Sequence, residues 1–92
     1  MPLIVRKLNI GSGWNYREGY INTDLWQRGN RLDIVCRAEA LPFKNGVFNE
    51  VYSCHVLEHI SYWLTKKVLT EWVRVLSVGG EIVVSTIFCK FV

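Results

Sequence analysis

An apolar run, Leu3 to Val5 and Leu8 to Ile10, ends abruptly at Gly11-Ser12-Gly13, and that junction constrains the rest of the chain. A run of this kind reads as a buried strand. Two glycines one residue apart let the backbone turn sharply and come close to a ligand. Glycine pairs also end many strands for reasons of turn geometry alone, so the meaning of this one depends on the segments downstream of it.

From Gly13 onward, short apolar segments alternate with turns. The spacing predicts a first strand over Leu3 to Ile10, a second over Tyr20 to Leu25 with Asp24 at its carboxyl end, and a third over Leu32 to Cys36. Gly11 to Tyr20 is too short for an average helix plus its loops, and it carries Trp14 and Tyr16 as lids over a pocket. Gln27 to Asn30 is turn chemistry, and Pro42 ends regular pairing after the third strand. Val51 to Cys54 is a fourth strand.

From Ser61 the period changes. Leu64, Val68, Leu69, Trp72, Val75 and Leu76 recur at three- and four-residue spacing with polar residues between. That predicts an amphipathic helix, with Ser61 as N-cap and Gly79-Gly80 as its stop. The helix period accounts for Trp72 as core, and Trp63 reads as core or interface. Glu81 to Phe88 is β-branched and reads as a fifth strand. Strands joined by connections and a crossover helix argue for an α/β fold with a largely parallel sheet of about five strands. In such sheets ligands bind outside the carboxyl ends of the strands, where Gly11 to Gly13, Asp24, Ala38 and His55 fall.

Ninety-two residues, 50% of them hydrophobic, suit a single domain over 1–92. The net charge of +3 is spread from Arg6 to Lys90 without a block of five like charges, which argues against a nucleic-acid surface. Cys36, Cys54 and Cys89 lack metal-type spacing and read as buried free thiols in a reducing compartment. The start is too short for a signal h-region and no apolar run approaches membrane-spanning length, so a cytoplasmic location and no membrane partner are expected.

The series Leu8-Asn9-Ile10-Gly11-Ser12-Gly13, Gly19 to Asp24, Ala38-Glu39-Ala40-Leu41-Pro42-Phe43, His55 to Ile60 and Arg74 to Gly80 resembles the class I S-adenosylmethionine-dependent methyltransferases. The nearest group is the small methyltransferases described as type 11, including those with a shortened first helix. The resemblance implies a Rossmann-like sheet and a cofactor, S-adenosylmethionine, with S-adenosylhomocysteine as product. It further implies that Asn9, Gly11, Ser12, Gly13, Asp24, Ala38 and His55 bind that cofactor. Gly11 and Gly13 would admit its aminoacyl part, and Asp24 would accept hydrogen bonds from both ribose hydroxyls.

Two positions depart from the family pattern. Asn9 stands where an acidic residue is usual, keeping an acceptor without the charge. Arg37 stands where an aspartate often receives the adenine amino group, and an arginine only donates. Backbone groups near Ala38 and apolar walls would then hold the base. His55-Val56-Leu57-Glu58-His59 also matches the inverted zinc-peptidase pattern H-x-x-E-H. The five residues follow a strand directly and lack a further ligand, so a strand-to-helix bend and no metal are expected, with Glu58 and His59 bracing that bend.

The family's domain has a seven-stranded sheet, and the pattern here stops after the fifth. No residue can be assigned as a catalytic base, and the methyl acceptor is unknown. Two readings stand: a methyltransferase truncated or completed by another chain, or a non-catalytic cofactor-binding or interaction module derived from one. The fifth strand and the apolar tail Phe88, Phe91 and Val92 would leave an open edge, so a homodimer or larger homo-oligomer through that edge is expected.

Overall fold

The computed structural model describes residues 5–27, 31–54 and 56–85. His55, the start of the first predicted strand, the end of the fifth and the tail lie outside the described residues. Five strands, β1 (Lys7–Ile10), β2 (Ile21–Asp24), β3 (Ile34–Val35), β4 (Phe48–Cys54) and β5 (Leu76–Ser85), form one sheet in the order β3-β2-β1-β4-β5. Every pairing is parallel. One helix among the described residues, α1 (Tyr62–Val75), crosses from β4 to β5. The fold is α/β and Rossmann-like.

Paired residues of a parallel sheet share a face, so the register sorts the side chains. Leu8 lies beside Ile21 and Val51, and Asn9 beside Asn22 and Tyr52. On the first face Leu8, Ile10 and Val51 join Val68, Trp72 and Val75 of α1 in a buried core. Phe48 belongs to the same cluster because the β4–β5 register shifts between Phe48 and Glu50. Its ring meets Phe43 edge-on at 4.9 Å.

On the second face no helix intervenes between β1 and β2, and the connection itself is the cover. Asn9 Nδ2 donates to Asn15 O at 2.9 Å and to Asn22 Oδ1 at 2.8 Å. The Arg17 guanidinium lies 4.0 Å from the Tyr52 ring centre and 4.7 Å from that of Tyr20. Such contacts are worth about 0.5–2 kcal/mol each. A polar lid held by hydrogen bonds and ring contacts therefore takes the place of an apolar helix, with Arg17 Nε buried and unpartnered beneath it.

Three expectations need correction. The helix stops at Val75, and Leu76 enters β5 directly opposite Phe48. Gly79-Gly80 is not a helix stop but sits within β5, where pairing jumps from Phe48–Leu76 to Glu50–Glu81. Gly79 has φ +81°, and a Cβ on Gly80 would lie 2.9 Å from Leu76 Cδ2, so this bulge needs small residues. Ser61 does precede α1, yet its side chain makes no cap bond; its carbonyl accepts from Leu64 N–H at 2.8 Å. The free-thiol reading holds for Cys36, whereas Cys54 is disulfide-bonded. Apolar surroundings suit a half-cystine as well as a thiol. No helix among the described residues is long and apolar enough to cross a membrane.

Candidate functional site

Strand order reverses between β1 and β4: the chain leaves β1 for β2 and β3 on one side, then returns to β4 and β5 on the other. A crevice opens at the carboxyl ends of strands flanking such a reversal. Here it is a cavity of about 390 Å³, within the size range of small-ligand sites.

Its β1 wall is the glycine turn. Gly11 has φ +66° and Gly13 φ +50°, a backbone region that side chains with a Cβ rarely adopt. At Gly11 space is also decisive, because a Cβ there would run into Cγ2 of Val56, which follows β4. The turn is stitched to the end of β2. Ser12 N–H donates to Thr23 O at 2.9 Å, and Gly13 N–H donates to Asp24 Oδ2 at 2.7 Å. Asp24 Oδ1 accepts from Leu25 N–H at 2.7 Å. An ionised carboxylate has about four acceptor positions, so Asp24 is oriented by two backbone donors and retains acceptor capacity toward the cavity.

Gly11, Gly13, Asp24 and Ala38 thus line one cavity. Asn9 and Ser12 do not. Both are buried, with Asn9 spent on the second face of the sheet and the Ser12 hydroxyl without a partner. His55 falls outside the described residues. Trp14 stands at the mouth, 65% exposed. Tyr16 is not a lid: its hydroxyl bonds Asp33 Oδ1 at 3.0 Å and its ring faces Arg31.

The cavity also takes in residues that the sequence pattern does not assign to a ligand site: Leu25 and Trp26 after Asp24, Cys36 and Glu39 after β3, and Val56 and His59 after β4. Each follows the carboxyl end of a strand, which was the available signal. Burial pushes the Cys36 thiol up, a bond from Thr23 opposes it, and nearby Asp24 adds to the rise. The thiol stays neutral and serves as wall. The Arg37 hydrogen bond to Glu39, at 2.8 Å, holds the Glu39 carboxyl below its usual range.

The β3 wall is fastened from behind. Arg74, in the last turn of α1, donates to Glu71 through Nε at 2.7 Å and Nη2 at 2.8 Å. It also donates to the carbonyls of Phe43 at 2.8 Å and Leu41 at 3.0 Å. Nothing in the helix pattern announced this clamp. The segment that would need to be one helix to hold a metal through H-x-x-E-H is instead broken. β4 ends at Cys54, Leu57–His59 is a 3₁₀ turn, and Ile60 is extended before α1 begins. Among the described residues no three His, Cys, Asp or Glu side chains converge on a metal site.

A parallel sheet with this strand order, a glycine turn at the reversal and a carboxylate at the end of β2 define a Rossmann-like α/β domain with its crevice at the strand ends. The family model of a methyltransferase domain matches residues 15–84, and the chain belongs to that family, among the class I S-adenosylmethionine-dependent methyltransferases. Asp24, Ala38 and Glu39 lie within the matched segment. The glycine turn precedes it and is tied in by the bonds to Thr23 and Asp24. No curated protein and no solved structure matches the chain.

Proposed function

We propose that the chain binds S-adenosylmethionine in the cavity at the strand ends and serves methyl transfer to an acceptor entering from the β4 side. The observation that carries this reading is the bond from Gly13 N–H to Asp24 Oδ2. It joins a backbone that can approach a ligand closely to a carboxylate suited to a ribose diol. The bound cofactor supplies an electrophilic methyl on a sulfonium. Gly11 and Gly13 keep side chains out of the space its aminoacyl part needs. Asp24 accepts from the ribose hydroxyls, and Trp14 and Trp26 cover the mouth and shed water from it. Val56 and His59 face the side from which an acceptor approaches. Rate acceleration in this arrangement comes from holding nucleophile and methyl in line.

Calorimetry with S-adenosylhomocysteine tests the reading. Saturable binding is expected, weakened in Asp24→Ala by about 1.5–3 kcal/mol, the worth of hydrogen bonds to a charged group. No heat at millimolar ligand overturns it. Binding without methyl transfer to any acceptor favours the alternative of a non-catalytic module.

Assembly is proposed at the other end of the sheet. Among the described residues β5 pairs only with β4, and Val83 and Val84 are 38% and 40% exposed. An open, β-branched edge favours pairing with another chain, and a two-fold dimer is the commonest outcome. Light scattering on the whole chain is expected to give a dimer or larger species, and a monodisperse monomer at high concentration refutes it.

A further inference from the structure

α1 carries a second apolar face that the core does not use. Its inner residues Val68, Trp72 and Val75 are buried against the sheet. At 3.6 residues per turn Tyr62, Leu69 and Val73 fall together on a different side of the helix. Tyr62 is 86%, Trp63 74% and Val73 60% exposed, a clustering of large apolar side chains that marks a contact surface. The rings of Tyr62 and Trp63 meet edge-on with their centres 6.3 Å apart, which makes a preformed aromatic knob at the start of the helix.

Shape and charge together say what this face accepts. Two open grooves run along it, one on the side of Tyr62, Leu69 and Val73 and the other on the side of Trp63 and Lys67, and Lys66 and Thr70 line both. Residues at that spacing form a ridge between two furrows, the relief with which the side chains of another helix interdigitate. The carboxylates beside the face are already spent, Glu71 on Arg74 and Glu39 on Arg37. Lys66 and Lys67 are exposed and make no ion pair among the described residues. A second copy of the chain fits this charge badly. A two-fold contact through the stripe from Tyr62 to Val73 sets its middle, Lys66 and Lys67, against the same lysines of the other copy. A phosphate backbone fits badly as well, because Glu39 and Glu71 line the groove beside Trp63.

We propose that the outer face of α1 docks an amphipathic helix of another protein, apolar where it meets Tyr62, Leu69 and Val73 and acidic where it crosses Lys66 and Lys67. The aromatic knob is the anchor, and the two lysines select the partner by charge. The proposal does not rest on the cofactor reading.

The test uses the whole chain and two synthetic probe helices with leucine at helical spacing, one with glutamate between the leucines and the other with lysine. Fluorescence anisotropy of the labelled probes is expected to show saturable binding of the glutamate probe, weakened by added salt, and binding of the lysine probe weaker by roughly tenfold or more. Lys66→Glu combined with Lys67→Glu should reverse that preference. Tyr62→Ala and Val73→Ser should each weaken the glutamate probe by roughly fivefold or more, with the thermal midpoint kept because both side chains are exposed. Equal binding of the two probes, or a preference that survives the double charge reversal, overturns the proposal, as does a lack of saturable binding. Tighter binding to phosphatidylserine vesicles than to the glutamate probe assigns the face to a membrane and overturns it. A change of assembly state in Val73→Asp, read by light scattering, assigns the face to a second copy and overturns it too.

Discussion

Trp72→Ala is expected to cost about 3–5 kcal/mol of unfolding free energy, the range for removing a large buried aromatic ring. Trp72 is fully buried and packs with Val68 and Val75 of α1 against Leu8, Ile10 and Val51 of the sheet. Leu41, Phe43 and Leu57 pack against the same cluster, but among the described residues α1 is the one α-helix on it, so no second helix is at hand to fill a cavity there. A domain of ordinary stability has about 5–15 kcal/mol in total, and the variant should sit close to unfolding at room temperature. The indole Nε1 has no hydrogen-bond partner. Trp72→Phe should therefore cost much less, since it keeps most of the packing and removes an unsatisfied donor. Urea denaturation with an unchanged slope separates the two. A midpoint for Trp72→Ala close to wild type would mean that α1 does not pack as described.

Gly11→Ala is expected to cost about 3 kcal/mol or more, from two sources. Its φ of +66° costs an L-residue roughly 1–2 kcal/mol. The added Cβ also collides with Val56 Cγ2 across the strand reversal, and overpacking of this kind costs about 1–3 kcal/mol. The second source can be removed separately. Val56→Ala deletes the colliding methyl, so the double variant should be more stable than the sum of the single losses, with a coupling of about 1 kcal/mol or more. Additive losses would show that the glycine is needed for its dihedral angle alone. Because Gly11 lines the cavity, ligand binding should suffer in Gly11→Ala and partly recover in the double variant.

The α/β class, five strands and one crossover helix were legible because each rests on a local period. β2 and α1 lie close to where apolar spacing puts them, and the helical period assigns Trp72 to the core, where it is found. The cavity residues Gly11, Gly13, Asp24 and Ala38 were legible because each marks the end of a strand. Less visible was everything that depends on a partner distant in sequence. The motif points Asn9 toward a ligand, but side chains in a strand alternate, and the register with Asn22 and Tyr52 turns it to the opposite face. Trp63 reads as core or interface and is 74% exposed.

The sequence by itself determined which segments pair and which one coils, since period and β-branching act within a few residues. The tertiary structure decided where one element gives way to the next and which side chains meet. Leu76 continues a helical pattern, yet its ladder with Phe48 draws it into β5 and leaves Gly79 and Gly80 to shape a bulge. Val56 reaches Gly11 and Gly13 reaches Asp24 only because a parallel sheet brings successive strand ends to one side, and Arg74 reaches Leu41 and Phe43 because α1 returns beside the connection that precedes β4. No local propensity encodes those contacts, because the energy that forms them is released only when the sheet has closed.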